Sequence, residues 1–416
     1  MKNKMLIQIK VAVIILLCTT SCGFSSQDSH VIQPANSLPN TLPWDLVRLS
    51  EAPSFEWADK DSLVHSLYYK GEPYMGLPTK VFAYYASPAT LSGTDTGETY
   101  PGVVLVHGGG GKAFKQWAKI WAERGYAAIA MDLAGCGPNK VRLPDGGPSQ
   151  SDSTKFKCID KAPKDQWTYH SVANVILAHS LIRTFNEVDA FRTAITGISW
   201  GGYLTCIVAG LDSRFKAAAP VYGCGFLSDN SLWLGNFNEM TTEQKNKWVT
   251  LWDPSQYIGS ATMPMFFING TNDKAYPLDS YAKTYGLVKS KRNFRLTVNM
   301  KHGHPPGWAP QEIGMFIDSY LNGRSSLPVL LNPQLHKGVV KATVESETHI
   351  DSAKLHYTMG TEAVNKRNWH SVPATIEGNQ IKSQNLPNEV TMWFLAVTDD
   401  RGATITSEVV FSDVSK

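Results

Sequence analysis

The chain has 416 residues, 43% hydrophobic, 11% aromatic and 18% charged, a balance that excludes intrinsic disorder and gives enough length for two domains with a large core. Lys and Arg number 39 against 36 Asp and Glu, and the excess of three lies in Lys2, Lys4 and Lys10, ahead of Cys22 in a stretch without acids. The remainder is balanced, presents no basic face, and excludes nucleic acid as a partner.

Residues 1–21 open with Met-Lys-Asn-Lys, continue as an almost wholly apolar run from Leu6 to Leu17, and end in small residues before Cys22. The run is too short to span a bilayer permanently and reads as a secretory signal. It resembles a bacterial lipoprotein signal, with Thr19 where Leu is usual, which implies lipidation at Cys22, export, and a cell-envelope location tied to the membrane by a lipid anchor. Residues 22–60 follow as a polar tether and N-terminal segment.

From residue 61 the pattern changes. Leu63 to Tyr69 and Lys80 to Tyr85 predict two strands joined by a Gly/Pro-bearing loop, an antiparallel start to a larger sheet. Apolar strands then alternate with helices: Val103–Val106, a helix near Phe114 to Arg124, Ala127–Ala130, a helix Tyr169 to Phe185, Thr193–Ile198, Ala217–Tyr222, Met265–Ile268 and Phe294–Val298. Apolar runs without alternation, separated by amphipathic helices, predict a doubly wound, mostly parallel α/β sheet over residues 61–323. Two insertions stand out. Pro138 to Asp165 is long and polar and is read as a pocket rim. Phe226 to Trp252 carries Trp233, Phe237, Trp248 and Trp252, which suit a packed cap helix better than a sugar-binding cleft. After Gly323-Arg324-Ser325-Ser326, short alternating runs separated by turn residues predict a small all-β sandwich over residues 327–416, resembling an immunoglobulin or fibronectin module.

Chemistry concentrates at the carboxyl ends of the predicted strands. Gly197-Ile198-Ser199-Trp200-Gly201-Gly202 joins an apolar strand to a helical pattern, as a serine in a sharp strand-to-helix turn requires. A serine hydroxyl needs a base to take its proton and an acid to orient that base. Asp273 leaves the strand ending at Ile268, and His302-Gly303-His304 follows the strand ending at Val298, so the order Ser, Asp, His is satisfied. His107-Gly108-Gly109-Gly110-Gly111 ends another strand, and its glycines leave backbone amides open for a developing oxyanion. Lys112-Ala113 lacks the ending of a phosphate-binding loop. Cys136, Cys158, Cys206 and Cys224 match no zinc spacing, and export permits a Cys136–Cys158 disulfide, with Cys206 a core residue.

These motifs together resemble the α/β-hydrolase superfamily over about residues 60 to 323, and within it the acetylxylan esterase, dienelactone hydrolase and prolyl oligopeptidase group. The resemblance implies Ser199 as nucleophile, Asp273 as acid, His304 as base, Gly109 and Trp200 as oxyanion donors, and no metal or other cofactor. Ser199 stands where dienelactone hydrolases commonly carry Cys, and prolyl oligopeptidases carry a propeller where this chain has a short segment. The expectation is an exported serine esterase acting on acylated carbohydrate or small esters. The alternatives are a serine peptidase and a non-catalytic carbohydrate-binding lipoprotein.

Overall fold

A computed structural model describes residues 38–94 and 97–412. The signal segment and Cys22 lie outside the described residues.

The first nine strands are β1 (Phe55–Asp59), β2 (His65–Lys70), β3 (Lys80–Ala86), β4 (Tyr100–Val106), β5 (Ala127–Met131), β6 (Val188–Ile198), β7 (Ala217–Val221), β8 (Met265–Gly270) and β9 (Arg292–Thr297). They lie side by side in the order β1-β2-β3-β5-β4-β6-β7-β8-β9. The pairings β1–β2, β2–β3 and β3–β5 are antiparallel, and all later ones in this order are parallel. Every residue of β5, β7 and β8 is buried, which is why these strands read as continuous apolar runs.

Helices α1 (Leu46–Leu49), α2 (Pro88–Ser92), α3 (Lys115–Glu123), α4 (Asp152–Lys155), α5 (Trp167–Ile182) and α6 (Trp200–Leu211) are followed by α7 (Leu234–Asn238) and α8 (Thr242–Trp252). The last three are α9 (Leu278–Gly286), α10 (His304–Trp308) and α11 (Gln311–Leu321). On α3 the apolar residues Trp117, Ala118, Trp121 and Ala122 fall on one face at helical spacing and are buried, as an amphipathic covering helix requires. Helix α5 is buried along its whole length, so its outer side needs a cover. The N-terminal segment supplies it: Trp44 Nε1 donates to the Tyr169 carbonyl at 2.9 Å and Ser180 Oγ to the Leu49 carbonyl at 2.7 Å. Beneath α5, Asp212 pairs with His179 at 2.8 Å and Arg214 at 2.7 Å. Burial alone would raise the Asp212 carboxyl, and these two partners reverse that and hold it below the usual carboxylate range.

The C-terminal strands are β10 (Val329–His336), β11 (Val339–Glu345), β12 (Ile350–Thr358), β13 (His370–Glu377), β14 (Gln380–Asn385), β15 (Met392–Asp399), β16 (Thr404–Thr406) and β17 (Val410–Phe411). They form an antiparallel ladder, β10-β11-β14-β13-β12-β15, with β16 and β17 both on the far edge of β15. The ladder curls until β10 lies beside β15 and β16, enclosing a core of its own around Val340, Leu355, Ile381 and Leu395. Strand β15 shows how the two cores meet. Its alternation sends Trp393, Leu395 and Val397 into the small core, and Met392 and Phe394 into the large one. Thr406 of β16 also pairs with Phe294 of β9, so the ladder continues the α/β sheet.

The cysteine expectation is corrected. All four described cysteines are free, with Cys136 Sγ turned toward the Ala134 carbonyl and Cys158 Sγ toward that of Thr154 at 3.0 Å. Each thiol points back along its own segment, so neither faces the other. Cys206 is fully buried, as its place on α6 suggested.

Candidate active site

Ser199 sits between β6 and α6 with φ 60° and ψ −118°, a left-handed conformation that a non-glycine residue adopts only when its surroundings impose it. Those surroundings are backbone. A Cβ on Gly201 would stand 1.9 Å from the Val106 carbonyl oxygen, and one on Gly197 would stand 2.2 Å from that of Gly201. The glycines of the motif therefore permit strand, turn and helix to close on one another, and the Ser199 amide is fixed by the Val221 carbonyl at 2.9 Å.

The structure brings Ser199, His302 and Asp273 into one hydrogen-bonded row. His302 Nε2 is 2.9 Å from Ser199 Oγ, and His302 Nδ1 is 2.7 Å from Asp273 Oδ2. Asp273 is buried, and its Oδ1 accepts the amides of Ala275 at 2.8 Å and Tyr276 at 2.9 Å, which leaves Oδ2 for the imidazole. With Nδ1–H donated to the carboxylate, Nε2 is the acceptor facing the serine hydroxyl. The His302 ring also stacks on Tyr222, centroids 4.4 Å apart.

His304, expected as the base, does not reach Ser199. It is the first residue of α10, where the chain has turned away, and its ring lies against Phe114 with centroids 4.7 Å apart. Its Nε2 accepts the Gly108 amide at 2.9 Å. Burial above all, and then the neighbouring His107, His302 and Lys140, lower its pKa to about 4, so it stays neutral and keeps that acceptor. Counting residues from Val298 missed the left-handed turn at Asn299 (φ 56°) and the helix that begins at His304, which together put His302 at the serine.

The glycine loop after β4 is pinned at several points. His107 Nδ1 is 2.8 Å from the Gly108 carbonyl, and its Nε2 accepts the Leu133 amide at 2.9 Å. Lys140 Nζ donates to the Gly110 carbonyl. His304 takes up the Gly108 amide, and the Gly109 amide follows it in the loop. A Cβ on Gly109 would meet Trp200 Cδ1 at 2.9 Å, so these two residues stand together beside Ser199. Trp200 opens α6, and first-turn amides have no acceptor within their own helix. Two amides flanking a serine can hold a developing oxyanion.

The two insertions wall this site. From the Pro138–Asp165 segment, Lys155 is buried with Nζ 4.3 Å from the centre of the Trp200 ring and 3.3 Å from Asp152 Oδ1. The other insertion packs behind it: Trp248 Nε1 donates to the Lys155 carbonyl at 2.7 Å, and Trp252 Nε1 to Gln166 Oε1 at 2.9 Å. Trp248 and Trp252 are fully buried and serve packing, as does Phe237; Trp233 lies 4.5 Å from Trp200, ring to ring. Trp308 packs on Phe114 and Trp117. Lys155, Tyr222 and Tyr276 were not singled out in the sequence. Tyr276 shares a loop with Asp273 and Tyr222 directly follows β7, so strand-end position could have found both, whereas Lys155 carries no local signal. Among the described residues no group of three or more His, Cys, Asp or Glu side chains could hold a metal ion.

A mostly parallel sheet with a strained serine at the β6–α6 turn, and Asp and His on the loops after β8 and β9, defines a class: the fold is that of the α/β-hydrolase superfamily, and the likenesses fall among its esterase- and peptidase-like branches. The acetyl xylan esterase (AXE1) family model matches residues 52–242, and that of the PhoPQ-activated pathogenicity-related protein matches residues 234–367. The fold is similar to that of an acetyl xylan esterase from Paenibacillus sp. R4, with 20% identity, TM-score 0.52, and coverage of 65% of this chain and 90% of that one. Acetyl xylan esterase 1 from Thermoanaerobacterium sp. JW/SL YS485 is 15% identical, with TM-score 0.52 and coverage of 68% and 96%. The chain is also 25% identical over 227 residues, 49% of its length, to the uncharacterized peptidase YuxL of Bacillus subtilis (strain 168), of which the match spans 30%.

Proposed function

We propose that this protein is an exported serine carboxyl-ester hydrolase that removes acetyl or similar acyl groups from polysaccharide. The observation that carries the reading is the row Ser199–His302–Asp273, built on a strained elbow beside the Gly109 and Trp200 amides. The match of residues 52–242 to the acetyl xylan esterase family supports the substrate class. In this reading His302 Nε2 takes the Ser199 proton as Oγ attacks the ester carbonyl, and Asp273 stabilises the imidazolium. The two amides hold the oxyanion, and the departing alkoxide takes the proton back from His302. Water, activated by the same histidine, then releases the acid from the acyl-serine. The mechanism needs no cofactor. The lipoprotein reading of Cys22 would tether the enzyme to the cell envelope, and the C-terminal strands, read as an immunoglobulin-like module, would dock on the hydrolase without contributing a reacting group.

The likeness to a protein named as a peptidase supports a second reading, a serine peptidase. One panel separates the two. The protein lacking residues 1–21 should hydrolyse aryl acetates and release acetate from an acetylated polysaccharide, lose both activities in Ser199→Ala, and leave prolyl amides intact. Rapid cleavage of a prolyl amide without acetate release from any acetylated glycan would replace the esterase with the peptidase.

A further inference from the structure

Buried tyrosines normally give their hydroxyl a partner, because an unpaired polar group away from water is costly. In this fold Tyr69 donates to the Asn174 carbonyl at 2.8 Å, Tyr222 to that of Lys301 at 2.8 Å, Tyr257 to that of Leu251 at 2.6 Å and Tyr281 to that of Ile268 at 2.9 Å. Tyr276 departs from the pattern. It is fully buried, yet among the described residues its hydroxyl has no hydrogen-bond partner.

The orphan hydroxyl is beside the reacting serine. The Tyr276 amide is held by Asp273 Oδ1 at 2.9 Å and its carbonyl by Asn269 Nδ2 at 2.9 Å, so the backbone is fixed on both sides. Its ring stands between Trp233, at 5.2 Å, and His302, at 6.3 Å and nearly parallel. That placement directs the hydroxyl at Ser199, whose side chain interacts with it without meeting hydrogen-bond geometry. Burial first, with Cys224 and Asp273 nearby, holds the phenol well above its usual pKa, so it remains an O–H donor and cannot act as a base.

We propose that Tyr276 is a further catalytic residue, whose hydroxyl donates a hydrogen bond to Ser199 Oγ while negative charge resides on that atom. The proposal rests on the serine-hydrolase reading above. In acylation the Oγ–H bond breaks, the proton passes to His302 Nε2, and the Oγ electron pair forms the bond to the acyl carbon. In deacylation that carbon–oxygen bond breaks, the pair returns to Oγ, and His302 restores the proton. Tyr276 keeps its own proton throughout and offers its donor at both moments when Oγ is electron-rich. A hydroxyl left unsatisfied in the resting fold and satisfied during reaction is an interaction favouring the transition state over the ground state.

Tyr276→Phe keeps the ring and removes only the hydroxyl, which gives the test a sign that a purely structural role would not share. The expected result is turnover of an aryl acetate lowered about 10- to 100-fold, the range for a hydrogen bond to a charged group, with KM within about threefold. The rate at which a fluorophosphonate modifies Ser199 should fall by a similar factor, while the melting temperature holds or rises by a few degrees, because an unpaired buried hydroxyl has gone. Turnover and modification within twofold of the parent would overturn the proposal, and so would a loss of turnover accompanied by a lower melting temperature. Ser199→Ala, run alongside, keeps the two claims apart. If it abolishes turnover while Tyr276→Phe does not lower it, only the role of Tyr276 fails; if Ser199→Ala retains turnover, the serine-hydrolase reading fails and takes this proposal with it.

Discussion

At the scale of single residues the two histidines of one loop carry different duties, and their substitution should separate them. His302→Ala removes the side chain that links Ser199 to Asp273, so turnover of an aryl acetate should fall by about three or more orders of magnitude. His304→Ala removes the acceptor for Gly108 and loosens the glycine loop, so the loss should be about 10- to 100-fold, as for one hydrogen bond made misdirected. Steady-state kinetics on the two variants decides the point, and the reverse order would return the base to His304. Ser199 and Asp273 were legible because residue type, flanking pattern and strand-end position all agreed. The choice between His302 and His304 was not, since it depends on a left-handed Asn299 and on where α10 begins, neither of which leaves a hydrophobic period.

At the scale of elements the turn holding Ser199 is the most sequence-determined part of the fold, and its glycines make unequal demands. Gly201→Ala would press a methyl within 1.9 Å of backbone that cannot move aside, and should cost on the order of 4 kcal/mol or more, or prevent folding. Gly235→Ala, in α7 with open space around its Cβ position, should be neutral or stabilise by up to about 1 kcal/mol. Urea midpoints of the two variants test the contrast; equal effects would mean that the close approach of α6 to β4 is not as described. The buried parallel strands were legible from their apolar runs for the same reason that they are buried. Strand β1, with a mostly exposed pattern, was not, because pairing with β2 makes it a strand.

For the whole molecule, four histidines set a pH dependence. His107 and His179, both buried, and His304 and His356, both partly buried, are each held at about 4, against an ordinary value of 6.5, chiefly by burial. Between those values the unfolded chain binds protons that the native fold refuses, so stability is fully present above 6.5 and is lost as pH falls toward 4. The loss is on the order of 1 kcal/mol per histidine for each pH unit crossed. Denaturation midpoints at pH 7.5, 6 and 5 should therefore decline, and a flat series would show these rings to be solvated. The address is a property of the whole chain as well: Cys22→Ser should move the protein from the detergent-soluble membrane fraction to a soluble or unprocessed form, and an unchanged distribution would remove the lipid anchor.

The pairing of Thr406 with Phe294 means that β9, the last parallel strand, does not end the sheet with a bare row of amides and carbonyls. The Leu296 amide likewise donates to Thr406 Oγ1 at 3.2 Å, and Met392, Phe394 and Ile405 cover apolar surface below. The C-terminal strands thus act as a guard against self-association: a sheet edge already occupied cannot template pairing with a second copy. Cutting the chain after Arg324 would uncover that edge together with its apolar flank. The shortened protein should form concentration-dependent oligomers or precipitate, even where its serine site stays assembled, and light scattering across a dilution series would reveal it. A truncated protein that remained monomeric at every concentration would leave these strands without that protective role.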